Sequence, residues 1–155
     1  MTQNVVTPSS EDLKRVSDQI GDALKIARDH FGEQAFTHSD RDLEIIQRIL
    51  DNRILEENQT YELQCLGLVF GDVLARKAGL HWATVEDAYG RDPALQFADT
   101  SLILFPLTMI SKRVEDGQRV DVFDLLAKLE KDVASLKDEV TKNGVGSNKP
   151  WWKFW

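Results

Sequence analysis

A change in the spacing of apolar residues near position 80 most constrains how this chain can fold. Before that point, apolar residues recur every three or four positions, as on one face of a helix. From His81 to Tyr89 they alternate with polar residues, as in a half-buried strand. The pattern predicts an α+β fold with N-terminal helices, a small three-stranded antiparallel sheet and C-terminal helices.

Two helices are predicted in the first part of the chain. Ser9 is typical of a helix N-cap, Asp12 suits the first turn, and Gly32 ends the helix. A second helix is predicted to begin at Ser39. The predicted buried faces are Leu13, Val16, Ile20, Leu24, Ala27 and Phe31 for the first helix, and Leu43, Ile46, Ile49, Leu50 and Ile54 for the second.

A third helix is predicted to begin at Asn58 or Thr60 and to end at Gly79. It contains Gly67 and Gly71, four positions apart and therefore on one face. Each glycine costs about 1 kcal/mol relative to alanine inside a helix. We expect close packing of this face against a neighbouring helix or the sheet, in preference to approach by a ligand.

The sheet and the last helices follow. Strands are predicted at His81 to Tyr89, Ala94 to Phe97 and Ser101 to Phe105, with a turn at Gly90 to Pro93 between the first two. Pro106 suits the first turn of a helix that runs to Glu115. A final helix is predicted after Asp121, with a docking seam of Leu126, Leu129, Val133, Leu136 and Val140.

The chain divides into three predicted segments. Residues 1–8 are predicted as a flexible arm, 9–142 as a single domain, and 143–155 as a linker with an aromatic tail. The tail ends in Trp151, Trp152, Lys153, Phe154 and Trp155. Such a peptide cannot bury its rings against itself, so we expect it to dock on a partner groove, a membrane surface or its own domain.

Charge and composition narrow the classes of partner and the compartment. The net charge is −7, and since Lys149 and Lys153 contribute +2, residues 1–148 carry −9. An acidic body repels phosphate backbones, so nucleic acid is not an expected partner, whereas a basic protein is. The single Cys65, the absence of a signal core and short apolar runs predict a cytoplasmic protein, with peripheral attachment to the inner membrane as an alternative.

The densest polar cluster lies around the predicted hairpin turn, and two cations follow the third strand. A guanidinium there could bind an anion, but a structural turn in which Arg91 pairs with Asp87 is favoured. The Lys112–Arg113 pair could face an anionic ligand or solvent. The candidate ligand- or partner-binding residues are Tyr89, Arg91, Asp92, Lys112 and Arg113.

No catalytic residue, metal site or cofactor is predicted. His30, His38 and His81 have no partners at ligand spacing, and no phosphate-binding glycine loop is present. Cys65 lies in an apolar helical run and is expected to be a small core residue rather than a nucleophile.

The block from Leu66 to Val122 carries two long distinctive strings, Tyr-Gly-Arg-Asp-Pro-Ala-Leu from Tyr89 and Phe-Pro-Leu-Thr-Met-Ile-Ser-Lys-Arg from Phe105. It resembles the bacterial domain-of-unknown-function family 3806. The resemblance implies a small bacterial α+β domain and brings no activity, cofactor or catalytic residue. It draws attention to the candidate residues, and we expect Arg91 or Asp92 to meet Lys112 or Arg113.

These observations favour a non-enzymatic protein-interaction domain with an aromatic docking tail, for which the toxin-neutralising immunity type is one candidate class. A peripheral membrane adaptor that uses the tail is the first alternative. The second is a sensor or enzyme for small anions at the Tyr89–Asp92 turn.

Overall fold

The computed structural model describes residues 3–142. The elements follow one another as β1 (Asn4–Val6), α1 (Ser10–Phe31), α2 (Asp40–Asp51), α3 (Thr60–Ala78), β2 (His81–Asp87), β3 (Gly90–Gln96), β4 (Ile103–Leu104), a 3-10 turn (Pro106–Thr108), α4 (Ser111–Glu115) and α5 (Val122–Lys142). Within the described range, no helix is long and apolar enough to cross a membrane.

The sheet is antiparallel, with strand order β1-β2-β3-β4. The predicted α+β class is therefore confirmed, but the predicted number of three strands is wrong. The additional strand is β1, in which Val5 lies opposite Val85 of β2. Residues 4–6 lie within the segment predicted as an arm, and they pair with β2. Three residues are too few to show an alternating pattern, so local sequence does not reveal this strand.

The hairpin between β2 and β3 turns earlier than predicted. Asp87 pairs with Gly90, so the turn consists of Ala88 and Tyr89, and the predicted turn at Gly90 to Pro93 is wrong. Gly90 has φ +138°, which favours glycine. Pro93 is tolerated inside β3 because β4 pairs only with Leu95 and Gln96, which leaves Pro93 beside an unpaired edge.

Helix α1 begins as predicted. The Ser9 hydroxyl accepts from the Asp12 amide (3.1 Å), and the Asp12 carboxylate accepts from the Ser9 amide (2.8 Å), which completes a capping box. Gly32 ends the helix in a left-handed conformation. The predicted buried face is correct in part: Ala27 is buried and Ile20 and Phe31 pack against the core, whereas Leu13 is 49% exposed.

Helix α2 begins without a side-chain cap of its first turn. Ser39 occupies the N-cap position, but its side chain makes no capping bond. The buried carboxylate of Asp42 instead accepts from the amides of Thr37 (2.8 Å) and His38 (2.7 Å). The predicted position of the helix start is correct, while the residue that stabilises it lies three positions further on.

This difference leads to a prediction for two serines. Ser9→Ala should destabilise the protein by about 1 kcal/mol because it removes a capping bond. Ser39→Ala should change the free energy of unfolding by less than about 0.5 kcal/mol, since the hydroxyl is exposed and caps nothing. Urea denaturation of both variants measures the difference. Equal losses of stability would contradict the conclusion that Ser9 caps its helix and Ser39 does not.

The core is organised around α3, which contacts α1, α2, α4, α5 and the 3-10 turn. Gly67 and Gly71 face that turn: a Cβ atom on Gly67 would lie 2.5 Å from the Pro106 carbonyl oxygen, and one on Gly71 2.7 Å from the Pro106 Cβ. Close packing on the two glycines is confirmed: the main neighbour is a turn, and Gly71 also lies against Trp82 of β2. The helix predicted after Pro106 is divided into this turn and α4.

Helix α5 closes the core. The Asp121 carboxylate accepts from the amides of Phe123 (3.0 Å) and Asp124 (3.1 Å), as expected of a cap. The predicted seam packs on the parent domain, with Leu126, Leu129, Val133 and Val140 buried and Leu136 partly buried.

Candidate functional site

Three of the five candidate residues line one cleft, which we call the β3–α4 cleft. Its volume is about 390 Å³. Its apolar lining comes from Phe105, Leu107 and Met109, and its polar lining from Gln64, Asp92, Thr108, Lys112 and Arg113. Of the two residues expected to meet Lys112 or Arg113, Asp92 shares the lining of this cleft with them, without an ion pair to either.

Local packing explains how these side chains come together. The absence of a side chain at Gly67 lets the turn at Pro106 lie directly on α3, and Gln64 is one helical turn before that contact. Helix α4 follows the turn, with Ser111 buried, so that Lys112 and Arg113 lie at the cleft. Asp92 lines the cleft from β3. The cleft thus brings together residues from three separate parts of the chain.

The cleft contains charges without ion-pair partners. Neither Asp92, Lys112 nor Arg113 forms an ion pair with another residue in the range 3–142. The Arg113 Nη1–H donates to the Met109 carbonyl oxygen (2.7 Å), and burial lowers the pKa of the guanidinium. A cleft with two cations and one carboxylate is therefore present in a chain whose net charge is −7.

Arg91 does not line this cleft. Its Nε–H donates to Asp12 Oδ1 (3.1 Å), a second N–H donates to Asp12 Oδ2, and the guanidinium also contacts the carboxylate of Glu86. The predicted pairing with Asp87 is wrong, since the Asp87 carboxylate accepts from the Tyr89 amide (2.8 Å). Arg91 joins the first turn of α1 to the sheet, and its bonds hold the pKa of Asp12 well below the usual range.

Arg91→Ala should therefore reduce stability in a pH-dependent manner. A carboxylate whose folded-state pKa is depressed contributes stability above its unfolded pKa of about 3.9, and this contribution is lost as the pH falls toward the folded value. The difference in unfolding free energy between wild type and Arg91→Ala should be largest near neutral pH and shrink below about pH 4. Urea denaturation across this range measures it.

Asp12→Asn provides the control for that measurement. In an Asp12→Asn background, Arg91→Ala should lose the part of its pH-dependent effect that comes from Asp12, and only the smaller part that comes from the more exposed Glu86 should remain. A stability loss that is independent of pH in both backgrounds would contradict the assignment. Unchanged stability would instead favour the earlier hypothesis that Arg91 serves binding.

The remaining candidates are distributed as follows. Tyr89 is at the hairpin tip, is 87% exposed and does not line the β3–α4 cleft. The predicted tail residues Trp151, Trp152, Lys153, Phe154 and Trp155 lie outside the described residues. Gln64 and Thr108 were missed, because a polar residue beside a glycine contact carries no distinctive sequence signal.

A second concave surface, which we call the loop groove, lies between the α2–α3 and α4–α5 connections. Its volume is about 620 Å³. Its apolar lining comes from Leu50, Leu55, Leu63, Val114 and Val120, and its other lining from Asp51, Arg53, Glu56, Glu57, Gly117, Gln118 and Arg119. Sequence reasoning missed this groove because its two loops are far apart in the chain.

The histidine His38 and the cysteine Cys65 contact neighbouring residues of the fold. His38 Nδ1 contacts the Asp72 carboxylate, which also lies 3.5 Å from the indole nitrogen of Trp82. Among residues 3–142, no group of three histidine, cysteine or acidic residues could hold a metal ion. Cys65 is confirmed as a core residue: it is fully buried, and burial raises the pKa of its thiol to about 11.

The chain is similar to one protein family and to one solved structure. The sequence profile of the domain of unknown function DUF3806 matches residues 42–125, more than half of the chain. A crystal structure from Bacteroides thetaiotaomicron VPI-5482 has the same fold, with a TM-score of 0.74 at 15% sequence identity. The match covers 83% of this chain and 47% of that one, so this chain spans about half its length. No curated protein matches the sequence.

Proposed function

The chain belongs to the family of the domain of unknown function DUF3806, and we propose that it acts as a protein-interaction domain for a basic partner. The observation that carries this proposal is the loop groove, which combines an apolar lining with acidic side chains. The proposal concerns binding and assigns no catalytic step.

The apolar lining of the loop groove favours a protein surface as the occupant. Leu50, Leu55 and Val114 are only partly buried, although they lie in a concavity. Complete burial of such a side chain stabilises by about 1.5–3 kcal/mol relative to full exposure, so covering the remaining area favours association. A concave apolar surface with a polar rim is the kind of surface that protein partners cover.

The charged side chains of the loop groove favour a partner with a positively charged surface. Asp51, Glu56 and Glu57 outnumber Arg53 and Arg119 in the lining, and Arg119 lies 3.8 Å from the carboxylate of Asp51. Glu56 and Glu57 have no ion-pair partner within residues 3–142. The net negative charge of the chain attracts a basic protein at long range, and these carboxylates favour its docking here.

A pair of double variants tests the groove. The partner is first recovered with the full-length chain, and its affinity is then measured by titration calorimetry at low and high salt. Glu56→Lys with Glu57→Lys should weaken binding by about tenfold or more, because like charges then meet at the contact. The control, Asp138→Lys with Glu139→Lys, makes the same change of charge on the exposed side of α5 and should weaken binding by less than about threefold.

Two results would contradict the proposal. Equal losses for the two double variants would show that only the net charge matters and that the groove is not the contact. Affinity that is independent of salt would show that the carboxylates do not recognise the partner.

The aromatic tail is proposed as a second point of contact, on the basis of its composition. The same recovery is carried out with a chain that ends at Asn148, which lacks Trp151–Trp155. Loss of the partner with this shorter chain supports docking of the tail on that partner. Flotation with vesicles that depends on the tail would support the membrane alternative instead.

A further inference from the structure

We propose that the β3–α4 cleft binds a small apolar molecule that carries a carboxylate or phosphate group, with the anionic group at Lys112 and Arg113. This site is separate from the loop groove, since the two share no lining residue. The inference therefore does not depend on the proposed function.

The size and lining of the cleft indicate the body of the ligand. A volume of about 390 Å³ falls in the range of sites that hold small molecules. Leu107 and Met109 are buried within the fold, and Phe105 is partly buried, so the side chains that form the apolar lining are held in place by packing. Gln64 and Thr108 add neutral hydrogen-bonding groups. This combination fits an aromatic or aliphatic body with one polar end.

The cations indicate the charge of that polar end. Arg113 uses one N–H to hold the Met109 carbonyl oxygen, which orients the guanidinium and leaves further N–H groups for a ligand. Lys112 is exposed and has no ion-pair partner among the described residues. The described part of the protein forms no ion pair with either cation, and Arg113 is partly desolvated. An oxyanion bound at this position would therefore form strong charge-assisted hydrogen bonds with both side chains.

Asp92 should have the opposite effect on the affinity for an anion from that of Lys112 and Arg113. Its carboxylate lines the same cleft and forms no ion pair within the described range. It therefore repels an anionic ligand and lowers the affinity that the two cations provide. Removing this charge should strengthen the binding of a simple anion, an effect that a merely structural role of the cleft would not produce.

The experiment titrates the folded protein with defined probes and follows amide and methyl resonances by NMR. The probes are 3-phenylpropionate, phenyl phosphate, inorganic phosphate and the neutral 3-phenylpropan-1-ol. We expect the first two to shift resonances of Leu107, Thr108 and Met109 and to bind more tightly than inorganic phosphate or the alcohol. The relative affinity of the first two distinguishes a carboxylate from a phosphate ligand.

Three single variants and one double variant complete the test. Lys112→Gln should weaken the anionic probes by about fivefold or more, whereas Lys128→Gln, an exposed lysine of α5, should leave them unchanged. Asp92→Asn should strengthen them severalfold. Glu56→Lys with Glu57→Lys should not weaken them, even if it abolishes partner binding, which separates failure of this site from failure of the loop groove.

The outcomes that overturn the proposal are equally specific. They are the absence of shifts at millimolar probe, equal binding of the alcohol and 3-phenylpropionate, or equal effects of Lys112→Gln and Lys128→Gln. Any of these would show that the cleft does not recognise an anion.

Discussion

Gly67→Ala is expected to destabilise the protein by about 1–3 kcal/mol, although alanine is the better helix former. The new methyl group would lie 2.5 Å from the Pro106 carbonyl oxygen and 2.8 Å from that of Leu107. Both atoms belong to backbone, so the 3-10 turn as a whole must move away from α3. Overpacking of this kind costs about 1–3 kcal/mol or more, which exceeds the gain of up to about 1 kcal/mol in helix propensity.

Gly21→Ala is the matched control. Gly21 also lies inside a helix, α1, but it is exposed, and a Cβ atom there has no neighbour within 4 Å. This variant should stabilise the protein by about 0.5–1 kcal/mol through helix propensity and a less flexible unfolded chain. Urea denaturation of both variants measures the two effects, which should have opposite signs. Stabilisation by Gly67→Ala would show that the turn is not held against α3.

Asp42→Ala should reduce the free energy of unfolding by about 2–4 kcal/mol. The Asp42 carboxylate is 1% exposed and accepts from two backbone amides and from the hydroxyl of Thr37. Hydrogen bonds to a charged group contribute about 1.5–3 kcal/mol each, and their donors would lose their partner. The segment before α2 also contains His38 at φ +58°, a conformation that needs support from its surroundings.

Asp42→Asn separates the loss of hydrogen bonds from the loss of volume. Asparagine keeps the shape and one acceptor oxygen, so its loss should be smaller than that of Asp42→Ala. Thermal denaturation and amide exchange at Thr37 and His38 measure both effects, and exchange should be fastest in the alanine variant. A loss of less than about 0.5 kcal/mol for Asp42→Ala would show that these bonds do not stabilise the start of α2.

Helix starts show both the strength and the limit of sequence reasoning. The Ser9–Asp12 capping box could be predicted because its atoms are three residues apart and any chain that begins a helix there brings them together. The same reasoning at Ser39 placed the start of the helix correctly, but the Ser39 side chain makes no capping bond. The direction of the chain before α2 decides that the Asp42 carboxylate reaches back to the amides of Thr37 and His38, while the Ser39 hydroxyl caps no amide of the helix.

For the candidate site, too, the sequence indicated some of the residues but not all of their partners. The sequence led us to expect that Arg91 or Asp92 would meet Lys112 or Arg113; in the structure Asp92, Lys112 and Arg113 line one cleft, and Arg91 does not. Sequence reasoning paired Arg91 with Asp87, a near neighbour, whereas the observed partner is Asp12, which lies 79 positions away in the chain. An ion pair forms wherever folding places opposite charges, and sequence distance does not limit the choice.

Local sequence was enough to specify the α+β class, the long helices and the glycines that end α1 and α3 in a left-handed conformation. These depend on periodicity and on contacts within a few residues. The three-dimensional fold was needed to specify the fourth strand, the partner of Arg91 and the two concave surfaces. Each of these requires chain segments that are far apart to become neighbours, and the energy that selects those neighbours comes from burial of the whole core.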